Sequence, residues 1–408
     1  MDIDEIDLLD RDRFTQGIPH EWFTWLRANA PVHRHPEPGG DGFWVITRYD
    51  DIVAANRDAA TFSSAQERGG VVTLEGPVAP IEGQEMAGNM MLFMDPPGHT
   101  RYRKLVNRGF TPRMILALEE HLQDLTARIV SDAIDKHDCD FVVDVAAELP
   151  LEVIAELLGV PQDDRFKLFD WSNRMVGSED PEYHVSDEHV TEAQIEMFMY
   201  AQALAEKRRA DPRPDIVSTL LQAEVEGDTL SEMDFNLFFM LLSVAGNETT
   251  RNAIAHGLNA FLEHPDQWDL LVSDPERHIG TAVEEILRWA SPVLFFRRNC
   301  TRDIELGGQL IREGEKISLW YISGNRDEAV FDEPFRFDIT RDPNPHIAFG
   351  GGGPHFCLGA QLARLEIKLL FRELAGRVPR LQSLGEPDRL RSNFIGGIKH
   401  LPVRLAPA

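Results

Sequence analysis

The stretch that decides the fold reads Phe349-Gly350-Gly351-Gly352-Gly353-Pro354-His355-Phe356-Cys357-Leu358-Gly359 and leads into Ala360-Gln361-Leu362-Ala363-Arg364. Glycines let a backbone take up positive φ angles and approach a flat ligand closely. Cys357 stands where an amphipathic run from Leu358 to about Gly376 predicts a helix, whose dipole favours a metal-binding thiolate. No Gly-Lys-Ser/Thr follows, and the dinucleotide fingerprint does not fit the spacing, so both phosphate-binding loops are excluded. A lone cysteine is more often an inert buried residue, but this context predicts an axial metal ligand.

A second cluster of polar residues, Ala245-Gly246-Asn247-Glu248-Thr249-Thr250, lies in the middle of a long apolar run. The capping-box pattern Thr229-x-x-Glu232 predicts that a helix begins there, and the apolar run ends at about Glu263. Burying an acid and two hydroxyls in such a helix costs free energy, which suggests a use for them. For the threonines alone, the plain alternative is a hydrogen bond back to the preceding turn. The small pair Ala245-Gly246 favours a widened, hydrated groove.

A third motif is Glu285-Ile286-Leu287-Arg288. By itself, its acid–base pair would be an ordinary surface ion pair that contributes little to stability. Together and in this order, the three motifs resemble the cytochrome P-450 superfamily from at least Asp95 to the C-terminus. Gly-x-His-x-Cys-x-Gly resembles its haem-ligand signature, Ala-Gly-x-Glu-Thr its oxygen-activation motif, and Glu285-x-x-Arg288 its structural pair. The resemblance implies a mainly α fold with a smaller β-rich portion and a long central helix over the haem. It also implies that Arg336 joins the structural pair.

The same resemblance implies how haem b is held. Cys357 would ligate the iron, and His99, Arg103, Arg298 and His355 would bind the propionates, because buried carboxylates need cationic or hydrogen-bonding partners. Arg297 is a rival for Arg298, which is preferred on spacing. The glycine run has one residue more than the commoner signature, which leaves the position of Phe349 open. Further cofactor contacts are expected from these residues: Ala245, Gly246, Phe349 and Gly359.

By resemblance, the activity is that of a monooxygenase that inserts one oxygen atom of dioxygen into an apolar substrate. Thr249 would hydrogen-bond the oxygen, and Glu248 would relay protons from solvent. A non-catalytic haem sensor has no need for this acid–threonine pair. Peroxide-driven or isomerising relatives typically lack it, so both alternatives are less favoured.

The substrate is expected to be large and apolar. The stretches 244–252 and 393–399 and the extended glycine run resemble bacterial hydroxylases of sterol side chains and branched-chain lipids, with a terpenoid or macrolide as the alternative. The methionines of the irregular segment 60–98 suit either an adaptable pocket or simple core filling. The candidate substrate contacts are Met91, Val293, Phe295, Phe296, Phe394 and Ile395.

Electrons must come from outside the chain, because no flavin or nicotinamide domain fits within it. The resemblance implies NAD(P)H, a reductase and a ferredoxin. A local basic face could dock an acidic ferredoxin, with a merely solvated helix surface as the equal alternative. Its members would be Arg101, Lys104, Arg108, Arg364 and Lys368.

Composition bounds the remaining choices. With 41 Lys and Arg against 68 Asp and Glu, the net charge is −27, which disfavours nucleic acid and membrane surfaces as targets. The acidic N-terminus lacks a signal-peptide layout, and three separated cysteines form no disulfide framework. We therefore expect a cytoplasmic monomer with one domain over 1–408. Its β-rich parts would be about 31–48, 293–320 and the C-terminal strands, and its helical parts about 99–290 and 358–376.

Overall fold

The computed structural model of the chain describes residues 1–76, 90–213, 215–224 and 227–406. Met86, one of the loop methionines considered above, lies outside these ranges. Among the helices in them, none is both long and apolar enough to cross a membrane.

Helices form most of the chain after residue 97, as the apolar periodicity predicts. Proline in the first turn of three long helices and side-chain caps such as Thr111 and Asp274 explain where they begin. The helices are α1 (Arg11–Thr15), α2 (His20–Asn29), α3 (Tyr49–Arg57), α4 (Gly98–Val106), α5 (Pro112–Lys136), α6 (Glu148–Leu157), α7 (Arg165–Val176), α8 (Asp187–Ala210), α9 (Ile216–Leu221), α10 (Glu232–Glu263), α11 (Pro265–Ser273), α12 (Pro275–Ala290), α13 (Tyr321–Gly324) and α14 (Ala360–Arg377).

Helix α10 crosses the centre of the bundle and packs against α6, α7, α8, α12 and α14. The apolar run predicted its end at Glu263 correctly, but the predicted cap was wrong. The Ser231 hydroxyl accepts the amide of Asp234 at 3.1 Å, and the Asp234 carboxylate accepts the amide of Ser231 at 3.1 Å. The capping box is therefore Ser231–Asp234, because serine caps at least as well as threonine and leaves two acids in the first turn.

A five-stranded sheet packs beside the bundle in the order β1-β2-β8-β5-β3, with β2 and β8 parallel and the other pairs antiparallel. Three smaller sheets pair β4-β12-β9, β6-β7 and β10-β11. The strands are β1 (Val32–His35), β2 (Phe43–Ile46), β3 (Phe62–Ser63), β4 (Asp138–Asp140), β5 (Phe295–Cys300), β6 (Ile304–Leu306), β7 (Gln309–Ile311), β8 (Lys316–Trp320), β9 (Arg380–Ser383), β10 (Asp388–Arg389), β11 (Ile398–His400) and β12 (Pro402–Ala406).

Strand β4 interrupts the stretch that the sequence predicts as helix. It has three residues, and it pairs with β12 more than 250 positions later. Such a short edge strand carries no alternation that a local pattern could reveal.

Glu285 and Arg288 of α12 form a saturated network and have fully buried side chains. Arg288 donates Nε and Nη2 to the two Glu285 carboxylate oxygens at 2.8 and 2.7 Å. Its Nη1 donates to the carbonyls of Asn325 and Pro334, both at 2.9 Å. The Glu285 carboxylate also accepts the amide of Asp338 at 2.9 Å. The pair thus fixes α12 to the irregular chain that leads to the cysteine loop.

The arginine that joins this pair is not Arg336, as predicted, but Arg341. The Arg336 side chain is 58% exposed and pairs with Glu333, since its backbone turn directs it outward. Only its carbonyl takes part, accepting Nη2 of Arg288 at 3.2 Å. Arg341, 12% exposed, brings Nε within 3.3 Å of a Glu285 carboxylate oxygen.

Candidate active site

The loop that precedes the cysteine depends on its glycines. Gly350, Gly352 and Gly353 have φ angles of 91°, 92° and 76°, which side chains with a Cβ rarely adopt. A Cβ on Gly353 would lie 2.2 Å from the carbonyl oxygen of Asn56. The glycine run therefore packs directly against the end of α3.

Cys357 lies three residues before α14 and lines a cavity between the cysteine loop and α10. Burial raises the pKa of its thiol, while the Gly359 amide and the guanidinium groups of Arg103 and Arg364 lower it. The Cys357 amide donates to the Phe349 carbonyl at 3.0 Å. The Phe349 ring lines the same cavity, with its centre 4.6 Å from Cζ of Arg364. The longer glycine run thus keeps Phe349 beside the cysteine.

Helix α10 supplies the wall opposite the cysteine loop. Ala245, Gly246, Thr249 and Thr250 all line the cavity, and Ala245 is exposed to it in the middle of an otherwise buried helix. A Cβ on Gly246 would lie 2.4 Å from Cδ1 of Ile154, so a larger residue here would require the Ile154 side chain of α6 to shift. These small residues leave space on this wall of the cavity. That the groove here is widened and hydrated stays a prediction.

Thr249 combines the two interpretations that the sequence left open. Its hydroxyl donates to the carbonyl of Ala245 at 2.6 Å, the bond to the preceding turn. Its side chain nevertheless lines the cavity. Whether it takes part in chemistry stays a prediction.

Glu248 is buried, but it does not belong to the cavity wall as the described residues define it. One of its oxygens accepts Nη2 of Arg251, one turn later, whose Nη1 donates to Asn173 of α7 at 3.0 Å. The other oxygen, Oε1, has no partner among the described residues. Burial raises the pKa of Glu248, and Arg251 opposes that rise. Glu248 is thus an incompletely hydrogen-bonded acid next to a residue of the cavity wall.

A basic end of the cavity gathers four of the predicted cofactor residues: His99, Arg103, Arg298 and His355. The His99 and His355 rings lie 4.2 Å apart between centres. His99 is 1% exposed, and neither ring nitrogen has a partner in the described chain. Burial and Arg103 lower its pKa to about 4. No carboxylate among the described residues lies within ion-pair distance of Arg103 or Arg298. The end is therefore prepared for an anionic group.

Strand β5 separates Arg298 from its rival. Because side chains alternate along a strand, Phe296 and Arg298 face the cavity while Phe295 and Arg297 face away. Arg297 is held by Asn299, whose Oδ1 accepts its Nη2 at 2.8 Å. Arg298, the arginine preferred on its spacing in the sequence, is thus the one that reaches the cavity.

The predicted substrate contacts divide equally. Met91, Val293 and Phe296 line the cavity, whereas Phe295, Phe394 and Ile395 do not line it within the described part of the chain. Phe295 packs on Trp320 with ring centres 4.8 Å apart, and Phe394 stands behind Phe296 at 5.6 Å. Ile395 is buried in a bridge with Val293. Strand parity and a second layer of side chains separate these three from the described wall, and their role as substrate contacts stays a prediction.

Sequence reasoning missed three polar residues on the wall: Asn56, Tyr321 and Glu366. The Tyr321 hydroxyl donates to Asn56 Oδ1 at 3.0 Å. Neither residue lies in a motif, so no local signal could reveal them. Glu366 did leave one, since it is an acid within the apolar face of α14.

The cytochrome P-450 family model matches residues 45–374 of the chain. A steroid C26-monooxygenase of Rhodococcus jostii is 46% identical, the match covering 97% of this chain and 84% of that protein. A methyl-branched lipid omega-hydroxylase of Mycobacterium bovis is 43% identical over 98% of this chain and 94% of its own. A solved Mycobacterium marinum cytochrome P-450 in complex with pseudoionone, 40% identical, superimposes with a TM-score of 0.90 over 99% of both chains. The chain therefore belongs to the cytochrome P-450 family and is a monooxygenase.

Proposed function

We propose that this monooxygenase hydroxylates the side chain of a steroid or of a methyl-branched lipid. The names of the two relatives support this substrate class. The observation that carries the proposal is the continuity of one cavity from Cys357 to a predominantly apolar wall. Such a wall binds large apolar molecules by excluding water, and a few polar groups then fix their orientation.

The residues present fit the haem that the family implies. Cys357 would hold the iron, and the N–H of the buried His99 ring, whose nitrogens have no partner among the described residues, would donate to a propionate. Arg103, Arg298 and His355 would complete the anion-binding end. Ala245, Gly246, Phe349 and Gly359 would enclose the ring. When bound through a thiolate, haem iron supplies dioxygen activation.

Thr249 and Glu248 would deliver the protons that the reduction of dioxygen consumes. Thr249 holds a hydroxyl on the cavity wall, where it can pass a proton to oxygen under reduction. Glu248 lies one residue earlier, and its Oε1 has no hydrogen-bond partner in the described ranges. Its bond with Arg251 must loosen before it can deliver a proton, and its raised pKa favours holding one.

Electrons would come from NAD(P)H through a reductase and a ferredoxin. Of the basic residues considered for docking, Arg101 and Arg108 are exposed at and just beyond α4. Arg364 is not available for docking, because it donates Nε to Glu284 at 2.7 Å and stacks on Phe349. We expect Arg101→Glu with Arg108→Glu to slow ferredoxin-driven reduction at low salt, and unchanged reduction would contradict this docking face.

We further propose that the chain forms one domain and acts as a cytoplasmic monomer. The family match over residues 45–374 supports one P-450 domain. Sedimentation of the purified protein tests the monomer, and fractionation of the producing cell tests the location.

The substrate test is a titration of the ferric protein with a sterol, a methyl-branched fatty acid and pseudoionone, followed by product analysis. We expect the sterol or the branched acid to give the strongest low-to-high-spin shift and a hydroxylated side chain. Phe296→Leu should weaken binding, while the matched control Phe394→Leu, outside the described wall, should change it less. Preferential binding of pseudoionone would contradict the proposed substrate class.

A further inference from the structure

One side of the cavity is formed by a short segment, residues 292–296, that leads from the end of α12 into β5. Three side chains of this wall segment line the cavity, those of Pro292, Val293 and Phe296. Helix α10 lines the same cavity with Thr249 among others. The separation between the wall segment and α10 therefore decides how much room an apolar substrate has beside the residue proposed to deliver protons.

A second layer of backbone supports the wall segment. It consists of residues 392–398, here called the backing turn, which pair with the wall segment through an isolated antiparallel bridge. The amide of Leu294 donates to the carbonyl of Phe394 at 2.9 Å, and the amide of Gly396 donates to the carbonyl of Pro292 at 2.8 Å. A movement of the backing turn would therefore carry the wall segment with it.

Two side chains of α10 hold the backing turn. Nε2 of His256 lies 2.9 Å from the carbonyl oxygen of Gly396. Because a carbonyl oxygen can only accept, this ring nitrogen carries the proton and donates it. One helical turn earlier, the fully buried Asn252 accepts the amide of Ile398 on Oδ1 at 3.1 Å. Its Nδ2 donates to the carbonyl of Glu248 at 2.8 Å, which fixes the orientation of the amide group.

The His256 ring is neutral when it makes this bond. Burial, helped by the guanidinium group of Arg389, lowers the pKa of His256 to about 3. A neutral imidazole has a single N–H group, and here that group is used for the carbonyl of Gly396. The bond should therefore persist at every pH at which the enzyme is assayed.

The backing turn fits closely against both of its neighbours. A Cβ on Gly396 would lie 2.9 Å from Cδ2 of Leu294, in the wall segment. A Cβ on Gly397 would lie 3.3 Å from Oδ1 of Asn252, on α10. With so little free space on either side, a change at α10 is passed through the turn to the wall segment.

We propose that His256, assisted by Asn252, is a positioning residue that sets where on the substrate the proposed hydroxylation takes place. It acts through the backing turn, which holds the wall segment at a fixed distance from α10. Because Thr249 lies about two turns earlier on the same helix, His256 ties the substrate wall to the helix that faces the cysteine loop. The inference rests on the proposed function, because it concerns the carbon that this function oxidises.

A fixed distance matters because reaction rates depend steeply on position. A misplacement of about 1 Å, caused by a change away from the reacting atoms, can lower a rate by about 10²-fold. Adjacent carbons of an alkyl chain are only about 1.5 Å apart, the length of a carbon–carbon single bond. A small shift of the wall segment is therefore enough to bring a different carbon of the same side chain to the reacting position.

The first test measures structure and needs no turnover. Hydrogen exchange of backbone amides is compared between the substrate-free wild-type holoenzyme and His256→Phe, which keeps an aromatic ring but removes the donor. Peptides that cover residues 292–296 and 392–398 should both exchange faster in the variant, while peptides from α5 should not change. Faster exchange confined to residues 392–398 would show that the turn does not hold the wall, and would overturn the proposal.

The second test measures the products formed from an iso-methyl-branched fatty acid. The ratio of terminal to adjacent-carbon hydroxylation should change by about fivefold in His256→Phe, the factor that one net hydrogen bond contributes to an equilibrium. His256→Gln can donate again and should return the ratio toward that of wild type. The matched control is Asn259→Ala on the same helix, because Asn259 bonds only to Glu263 of its own helix among the described residues. It should leave the ratio unchanged.

A purely structural role for His256 gives a different result. In that case His256→Phe would lower the free energy of unfolding and leave the product ratio as in wild type, which would overturn the proposal. His256→Met replaces His256→Phe if the phenylalanine variant does not fold, with the same expected change in the ratio.

Failure of the proposed function is recognised separately. If the wild-type protein formed no hydroxylated product from the branched acid or from a sterol, the proposed function would fail, and the specificity role of His256 with it. If wild type hydroxylated the branched acid and His256→Phe gave the same product ratio, only the inference about His256 would fail.

Discussion

Two glutamate–arginine pairs with the same three-residue spacing lie on neighbouring helices, and the protein uses them differently. Glu285–Arg288 on α12 and Glu248–Arg251 on α10 are both buried. Every polar atom of the α12 pair has partners, including backbone carbonyls from the irregular chain. In the α10 pair, Oε1 of Glu248 and Nε of Arg251 have none in the described chain.

The difference shows that local sequence does not decide what a buried ion pair does. A saturated network stabilises the fold because breaking it leaves an uncompensated charge in a low dielectric. An incompletely satisfied pair beside a cavity is less stable and can exchange partners. The α12 pair is thus a structural pair, and the incomplete bonding of the α10 pair agrees with the proton role proposed for Glu248.

Breaking the Glu285–Arg288 pair should have the largest effect on stability. Glu285→Ala leaves Arg288 buried without its acid, so the free energy of unfolding should fall by about 3–5 kcal/mol. Chemical denaturation of the holoenzyme measures it. Glu248→Ala is the matched control on α10, and an equal loss of stability there would remove the distinction between the pairs.

Glu248→Gln should affect activity more than stability. We expect the rate of product formation to fall about 10²-fold, at the lower end for a lost proton-transfer group. The free energy of unfolding should fall by less than in Glu285→Ala, because the amide oxygen can still accept a hydrogen bond from Arg251, which also keeps its bond to Asn173. Normal turnover in Glu248→Gln, with sterol binding intact, would place proton delivery elsewhere.

A smaller difference in stability is expected between variants of Arg341 and Arg336, the two arginines considered as partners of Glu285. Arg341→Ala should lower the free energy of unfolding by about 1–2 kcal/mol, since it removes a mostly buried ion pair and hydrogen bonds to three backbone carbonyls. Arg336→Ala should lower the free energy of unfolding by less than about 0.5 kcal/mol, because the ion pair of Arg336 with Glu333 is exposed. Thermal melts of the two variants compare them, and a larger loss for Arg336 would restore the sequence-based assignment.

The smallest expected effect is on how the stability of the folded protein depends on pH. The pKa of Glu248 is raised in the folded chain above its ordinary 4.5, so the folded state binds a proton more readily than the unfolded chain. The resulting stability is complete below pH 4.5 and is lost as the pH rises through the folded pKa. Glu248→Gln should therefore flatten that part of the stability–pH curve relative to wild type. A steeper decline in the variant would contradict the sign of the shift.

The sequence predicted what local chemistry determines. The glycine run before Cys357, the small and polar positions of α10 and the order of the three motifs were enough to indicate the P-450 fold and monooxygenase activity, both confirmed by the family match. The end of α10 followed from apolar periodicity. These features depend on residues close together in the chain.

What the sequence did not predict depends on contacts through space. Arg341 replaces Arg336 because the chain turns between them, and Phe296 reaches the cavity while Phe295 does not because of strand parity. Glu366 stood out in the sequence as an acid on the apolar face of α14, but its lack of a partner is visible only in the folded chain.

The most direct test of the central claim is the absorption spectrum of the purified protein reduced under carbon monoxide. Coordination by Cys357 predicts the strongly red-shifted Soret band of a thiolate-ligated carbonyl. Cys357→His should lose that band, and Cys300→Ala, a buried cysteine away from the described cavity wall, should keep it. A histidine-like spectrum from the wild-type protein, or no haem at all, would contradict the assignment of Cys357 as the ligand.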